Sequence, residues 1–391
     1  MRRVYLDHNA TTPVHPEVLE TMLPFYKEKF GNASSIHSFG REAKAALEEA
    51  REKVANFLGT SPQEIYFTSG GTEADNLAVK GVAFANRKKG NHLITSSIEH
   101  HAVIESCKFL EREGFETTYL PVDRSGLVNP EELKKAIKKE TILVSIMFAN
   151  NETGIIEPIE ELAKIAKENE VYFHTDAVQA VGKIPIDVNK SNIDMLSLSA
   201  HKIYGPKGVG TLYIRKGIRI TPWTHGGHHE KNRRAGTENV AGIVGLAKTL
   251  EIAQRDMEEQ TKNLKTLTES FYKKITDKIV DVVLNGDFER RIPNTLNISF
   301  KGVEGESIIL SLDMQGVAVA SGSACTSGSL EPSHVLSAMG VPPEIAQGSL
   351  RFSFGRENSM EDVDYVVSLL PDIVNRLRAM SPIYANQKQR G

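Results

Sequence analysis

EIYFTSGGTEADNLAVKGVAFAN (64–86) sets a short apolar strand, a glycine turn and a helix in direct succession. Its first five residues are rich in the β-branched and aromatic types that favour strands. Residues 72–86 repeat apolar side chains at helical spacing. The same succession recurs on both sides. Upstream, REAKAALEEAREKVANFLG (41–59) reads as an amphipathic helix closed by Gly59. Downstream, HLITSS (92–97), TTYLPV (117–122) and TILVSIMF (141–148) read as strands, with ESCKFLER (105–112) as a helix between the first two. EPIEELAKIAKENE (157–170) is a helix feeding the strand VYFHTDA (171–177), and DMLSLSA (194–200) and GTLYIR (210–215) continue the sheet. Strands that are apolar throughout, alternating with helices, indicate an α/β unit whose mostly parallel sheet is covered on both faces. Ligands of such sheets sit beyond the carboxyl ends of the strands. After about residue 240 the pattern changes to a long charged helix (241–280) and shorter strands such as TLNISF (295–300), which predicts a smaller α+β domain joined by that helix.

Composition narrows the function. The 391 residues carry a formal net charge of −3, with no basic footprint for nucleic acid and no attraction to an anionic membrane surface. The two arginines near the start lack an apolar segment behind them, so no secretory signal is expected there. The longest apolar run, near 141–149, is too short to span a bilayer. A soluble, cytoplasmic protein is the expectation. Cys107 and Cys325 are the two cysteines; they exclude a disulfide scaffold and cannot by themselves build a zinc or iron–sulfur site.

Three stretches could carry chemistry. In FTSGGTEADN (67–76) the backbone N–H groups and the positive end of a helix converge at Gly71 and Thr72, an arrangement that binds phosphate. Read alone, a tight turn with Thr72 as helix cap is the simpler account. VYFHTDAVQAVGK (171–183) delivers Asp176 to the carboxyl end of a strand, where a carboxylate can hold a cationic ring nitrogen or merely cap a helix. SLSAHKIYGPKGVG (197–210) places Lys202 just beyond another strand, where a shielded amine can form a Schiff base; a solvated loop lysine is the plainer alternative. Taken together, a phosphate turn, a strand-end Asp and a strand-end Lys on one sheet are anchor points of pyridoxal 5′-phosphate.

These segments resemble the cysteine desulfurases of the NifS/IscS type, which are class V aminotransferases of pyridoxal-phosphate fold type I. The likeness runs from YLDHNATTP (5–13) through GNASSIHSFGREA (31–43), TSGGTEADNLA (68–78), ILVSIMFANNETG (142–154), HTDAVQAVGK (174–183), SAHKIYGPKG (199–208), RAGTEN (234–239) and SGSACTSGSLEPSHVL (321–336) to LRFSFGR (350–356). The resemblance implies an N-terminal segment (1–14) packing with the small domain, a large cofactor-binding domain (15–258) and a small C-terminal domain (259–391). It also implies roles. Lys202 would hold the cofactor covalently and shuttle the substrate Cα proton, Asp176 would pair with the pyridinium nitrogen, and His100 would stack on the ring and carry a proton. Gln179 would bond the ring oxygen; Gly71, Thr72, Ser199 and His201 would hold the phosphate. Thr237 would reach the phosphate of a neighbouring subunit in a homodimer, and Asn151 and Arg351 would grip the substrate carboxylate. Ala200, where bacterial members often carry Gly, is expected to alter packing only.

Cys325 would accept the sulfur of L-cysteine as a persulfide, leaving alanine, and hand it to an iron–sulfur scaffold protein or another acceptor. Its Gly/Ser-rich surroundings suit a mobile exposed loop, whereas Cys107 falls in an amphipathic helix and reads as a packed side chain. A transient part for Cys325 in ligating a cluster with a partner stays open. No resident metal is expected: His225, His228 and His229 lack evident carboxylate or thiolate companions, and their loop is expected near the dimer interface. The alternatives are a selenocysteine lyase or an aminotransferase on the same fold, and a non-enzymatic sulfur or iron scaffold.

Overall fold

The computed structural model describes residues 2–321, 332–380 and 384. Its strands are β1 (Val4–Tyr5), β2 (Ile65–Thr68), β3 (His92–Ser96), β4 (Glu116–Leu120), β5 (Thr141–Ser145), β6 (Tyr172–Asp176), β7 (Met195–Ser199), β8 (Gly210–Ile214), β9 (Val282–Leu284), β10 (Thr295–Phe300), β11 (Val317–Ala318) and β12 (Ser349–Ser353). Seven form the main sheet in the order β2-β8-β7-β6-β5-β3-β4. Only β8 runs antiparallel to its neighbours there; the other strands point the same way.

Both faces of this sheet are covered, which is why its strands are apolar throughout. On one face the helices Ser38–Leu58, Ile159–Glu168 and the first half of Val240–Lys278 pack on Phe67, Phe173, Leu196 and Tyr213. On the other, Gly71–Asn86 and His101–Arg112 pack on Tyr66, Leu93, Leu143 and Leu212. The Ser38–Leu58 helix shows the sequence logic: Ala43, Leu47, Ala50, Val54 and Leu58 form its buried stripe, and Gly59 closes it with φ at +72°.

A second apolar cluster lies around the antiparallel sheet β12-β10-β9 and the parallel pair β1-β11. The Val240–Lys278 helix serves both clusters. Ile243, Leu246 and Leu250 enter the first, and Leu267, Phe271 and Ile275 the second. At 39 residues it is about 58 Å long. The run read as a strand over 141–148 leaves the regular ladder after Ser145. It stays apolar beyond that point because Ile146, Met147, Phe148 and Ala149 are buried in the turn that leads to Asn150.

Candidate active site

Because most strands point one way, their carboxyl ends lie along one edge, and the loops leaving that edge surround a cavity of about 280 Å³. It is lined by Gly71, Thr72, His100, Asn151, Asp176, Gln179, Ser199, His201, Lys202 and Arg351, together with Asn9, Ala10, Asp75, Met147 and Val178. Residues scattered from position 9 to 351 are thus brought to one place. Thr237 is not among them: it is exposed on the stretch before the Val240–Lys278 helix. Cys325 lies outside the described residues.

The turn after β2 is built by its glycines. Gly70 has φ +155°, a conformation L side chains rarely adopt, and from it the helix Gly71–Asn86 aims its N-terminus at the cavity. β8 passes so close that a Cβ on Gly210 would lie 2.7 Å from the Cα of Gly70 and 2.6 Å from the Leu198 carbonyl oxygen. Ser199 ends β7 and His201 follows it. Burial pushes the His201 ring down to about 4, helped by the charges of Lys202 and Lys207, so it meets the cavity as a neutral ring. Helix-end amides, a hydroxyl and an imidazole make a donor set suited to a phosphate.

At the other end of the cavity are two buried carboxyls. Asp176 accepts from Val178 N at 2.9 Å, and burial raises its pKa against the pull of His100 and Lys202. Asp75 was missed by the sequence reading. Burial first and the Asp176 charge second raise its pKa well above the ordinary value. Behind it, His174 lies 3.7 Å away, between Ser145 and Ser197, and burial lowers its pKa to about 3. Each carboxyl thus makes ionisation of the other harder. Asp75, His100 and Asp176 bring ligand atoms within 4.8 Å of one another, and they are the one such group of three among the described residues. The histidines of 225–234 do not converge in this way: His228 bonds Asn232, His229 accepts from Gly236 N, and Glu230 is buried against Arg51.

His100 caps the helix His101–Arg112, its Nδ1 accepting from Ala102 N at 3.1 Å. A backbone amide can only donate, so the neutral ring carries its proton on Nε2. Burial lowers this imidazole too. Lys202 Nζ donates to the carbonyls of Asn9 and Ala10 at 2.7 and 2.8 Å. Arg351, on β12, bonds Asp7 Oδ1 at 2.7 Å and the Asn151 carbonyl at 3.1 Å, while its buried Nε has no hydrogen-bond partner among the described residues. Asn9 ties these parts together. Its carbonyl also accepts from Gln179 Nε2, and its side chain reaches Asn151, Thr295, Asn294 and Lys183.

An amine, a buried carboxyl pair beside an imidazole, a phosphate-type donor set and a guanidinium with a spare donor fit pyridoxal phosphate plus an amino acid carboxylate. A metal would leave the lysine and the helix N-terminus unexplained.

The chain as a whole is similar to known proteins. The sequence profile of the aminotransferase class-V family matches residues 4–366. Over 381 residues the chain is 59% identical to a protein of Dictyoglomus turgidum named cysteine desulfurase IscS, covering 97% of each chain. It is 57% identical to a cysteine desulfurase IscS of Methanosarcina thermophila, over 98% of this chain and 94% of that one. Among solved structures, a NifS-like protein superposes with a TM-score of 0.91 at 44% identity, covering 96% of this chain and all of the other.

Proposed function

The chain belongs to the class-V aminotransferase family and to the cysteine desulfurases within it, and from that premise we propose how its site converts L-cysteine into L-alanine. The observation that carries the proposal is the meeting of Lys202, Asp176, His100, the Gly71–Thr72 turn and Arg351 around one cavity. Pyridoxal phosphate bound there supplies an electron sink that acidifies the substrate Cα–H and weakens its Cβ–S bond.

The residues divide that work. Gly71, Thr72, Ser199 and His201 hold the phosphate, with Thr237 reaching the phosphate site of a second subunit in a homodimer. Asp176 keeps its negative charge against the ring nitrogen, while Asp75 stays protonated beside it. Gln179 Nε2 donates to the ring oxygen. Arg351 and Asn151 take the substrate carboxylate; Asp7 and the Asn151 carbonyl already fix the guanidinium, so little side-chain freedom is lost on binding. Lys202 binds the cofactor covalently, removes the Cα proton when released, and returns it. The neutral His100 ring faces the reacting sulfur as a proton carrier. The thiolate of Cys325 attacks that sulfur: the S–S bond forms, Cβ–S breaks, and the carbon skeleton takes up protons to leave as alanine. The persulfide then passes to an iron–sulfur scaffold protein or another acceptor, in the cytoplasm. Among the described residues no helix is long and apolar enough to cross a membrane.

We further propose that the chain divides at 1–14, 15–258 and 259–391. The separate apolar clusters and the pairing of β1 with β11 support this division.

The test measures alanine and sulfide released from L-cysteine with a reductant, for wild type, Cys325→Ser and Lys202→Ala, alongside visible absorption. Equimolar products from a yellow wild type are expected. Cys325→Ser should stay yellow and make no sulfide, and Lys202→Ala should lose roughly 10²–10⁴-fold in rate. Full sulfide release from Cys325→Ser would remove the persulfide step and favour a lyase without a protein sulfur acceptor.

A further inference from the structure

Lys183 is a second lysine beside the cavity, and the reaction above does not use it. It lies four residues beyond Gln179 in the turns that follow β6, and its amine donates to Gln179 Oε1 at 2.8 Å and reaches Asn9 Oδ1 at 3.4 Å. On the other side of the same amide, Gln179 Nε2 donates to the Asn9 carbonyl at 3.0 Å. An ammonium offers only donors and a backbone carbonyl only accepts, so this pair of partners forbids a flip of the amide. Oε1 is held toward Lys183, and of the two hydrogens on Nε2 the Asn9 carbonyl takes one and leaves the other; Gln179 itself lines the cavity.

The surroundings of the amine are mixed in charge. Lys202, after β7, and Arg351, on β12, both repel a proton there, and burial opposes it more strongly still, bringing the amine down to about 7. Behind Lys183 a smaller cavity of about 50 Å³ is bordered by His8 of the N-terminal segment, by Asp256 of the long helix and by Arg356 after β12. A negative ring oxygen on the far side of Gln179 would favour the protonated amine. The amide between them would then be polarised from both ends, as in other chained hydrogen bonds.

We propose that Lys183 is a positioning residue, which fixes Gln179 so that its amide N–H, backed by a cation, meets the ring oxygen of pyridoxal phosphate. The inference rests on the cofactor reading above and adds to it a residue that touches neither cofactor nor substrate. Its electrical consequence is specific. A positive charge one amide away from the ring oxygen lowers the proton affinity of the imine nitrogen bonded to that oxygen, so removing the charge raises the pH at which the visible band titrates.

The experiment compares wild type, Lys183→Met, Lys183→Arg and Gln179→Leu as purified full chains. It reads the pH midpoint of the visible band after loading with pyridoxal phosphate, the Kd of the apoprotein for pyridoxal phosphate, and the melting temperature. Lys183→Met should move the midpoint up by about one unit and weaken cofactor binding about tenfold, and Lys183→Arg should restore most of both. If Lys183→Met fails to fold, Lys183→Arg set against Gln179→Leu decides: the first should keep the wild-type midpoint and the second should shift it upward. A band that titrates as in wild type in Lys183→Met, or in Gln179→Leu, overturns the role given to Lys183, whatever happens to the melting temperature. A wild type that forms no visible band with pyridoxal phosphate overturns the cofactor reading itself, and this inference with it.

Discussion

Glu99 sits one residue before His100 and is fully buried. Its Oε1 accepts from Ser96 Oγ at 2.5 Å and from Met147 N at 2.9 Å, while Oε2 has no hydrogen-bond partner among the described residues. Burial raises this carboxyl to about 8 against those bonds, and Glu157 is raised to about 8 for the same first reason. An unfolded glutamate loses its proton near pH 4.5. Between that pH and 8 the folded chain therefore holds a proton that the unfolded chain has released, and stability falls as pH rises across the window. Glu99→Gln should flatten this part of the curve and leave the share due to Glu157, as thermal melts from about pH 5 to 9 would read. A curve parallel to that of wild type would mean that Glu99 does not titrate there. The sequence was most legible at this scale where a residue ends a strand. Asp176 and Lys202 could be placed at the sheet edge from their own neighbours. Asp75 could not, because inside TEADNLAVKG it looks like any polar residue of an amphipathic helix. What makes it chemical is Asp176, and no local pattern joins the two.

Elements carry the next layer, and β8 lies tight against the turn after β2. Gly210→Ala would set a methyl against the Gly70 backbone and the Leu198 carbonyl, neither of which is a flexible side chain. The expected cost is about 1–3 kcal/mol of stability. A loss of pyridoxal phosphate affinity larger than that of the fold as a whole should accompany it, since the strain falls on the phosphate turn. Equilibrium unfolding and cofactor titration on the same protein separate the two; an unchanged Kd would show that the turn gives way freely. Element existence was readable from apolar periodicity, and boundaries were readable where a glycine or a cap marks them, as at Gly59. The stretch 225–234 shows the opposite case. Its histidines draw the eye, yet its anchor is Glu230, whose carboxylate takes a two-pronged bond from Arg51 and a third from Phe67 N. Glu230, Lys231 and Asn232 all sit at positive φ, which this buried pair holds in place. Arg51 is 179 positions away, so nothing near the histidines announces it.

For the whole molecule, alternating strands and helices were enough to predict a covered, mostly parallel sheet and a smaller unit after it. They did not give the strand order, the antiparallel β8, or the joining of β1 to β11, since pairing between distant segments leaves no local mark. Asn9 is where that long-range order is most concentrated: buried, it bridges the N-terminal segment to Asn151, to Asn294 and Thr295 at β10, and to Ser353 on β12. Asn9→Ala strands the side-chain partners Asn151, Asn294 and Thr295 in the interior while keeping the backbone bond to Ser353, which should cost about 1–3 kcal/mol. It should also raise KM for cysteine more than it lowers kcat, because the Asn151 carbonyl, which Arg351 also bonds, loses its bond from the Asn9 side chain. A kcat loss with KM unchanged would instead place its effect on Lys202. The residues that hold Lys202 in position, Asn9 and Ala10, leave the ribosome well before Lys202 itself. Their own segment is pinned by Leu6 N to the Ala318 carbonyl and by Ser353 N to the Leu6 carbonyl. Those partners are translated more than three hundred codons later. A nascent chain can therefore lay down its large sheet early and still lack the bonds that pin the lysine's carbonyl partners until the codon for Ser353 has been read.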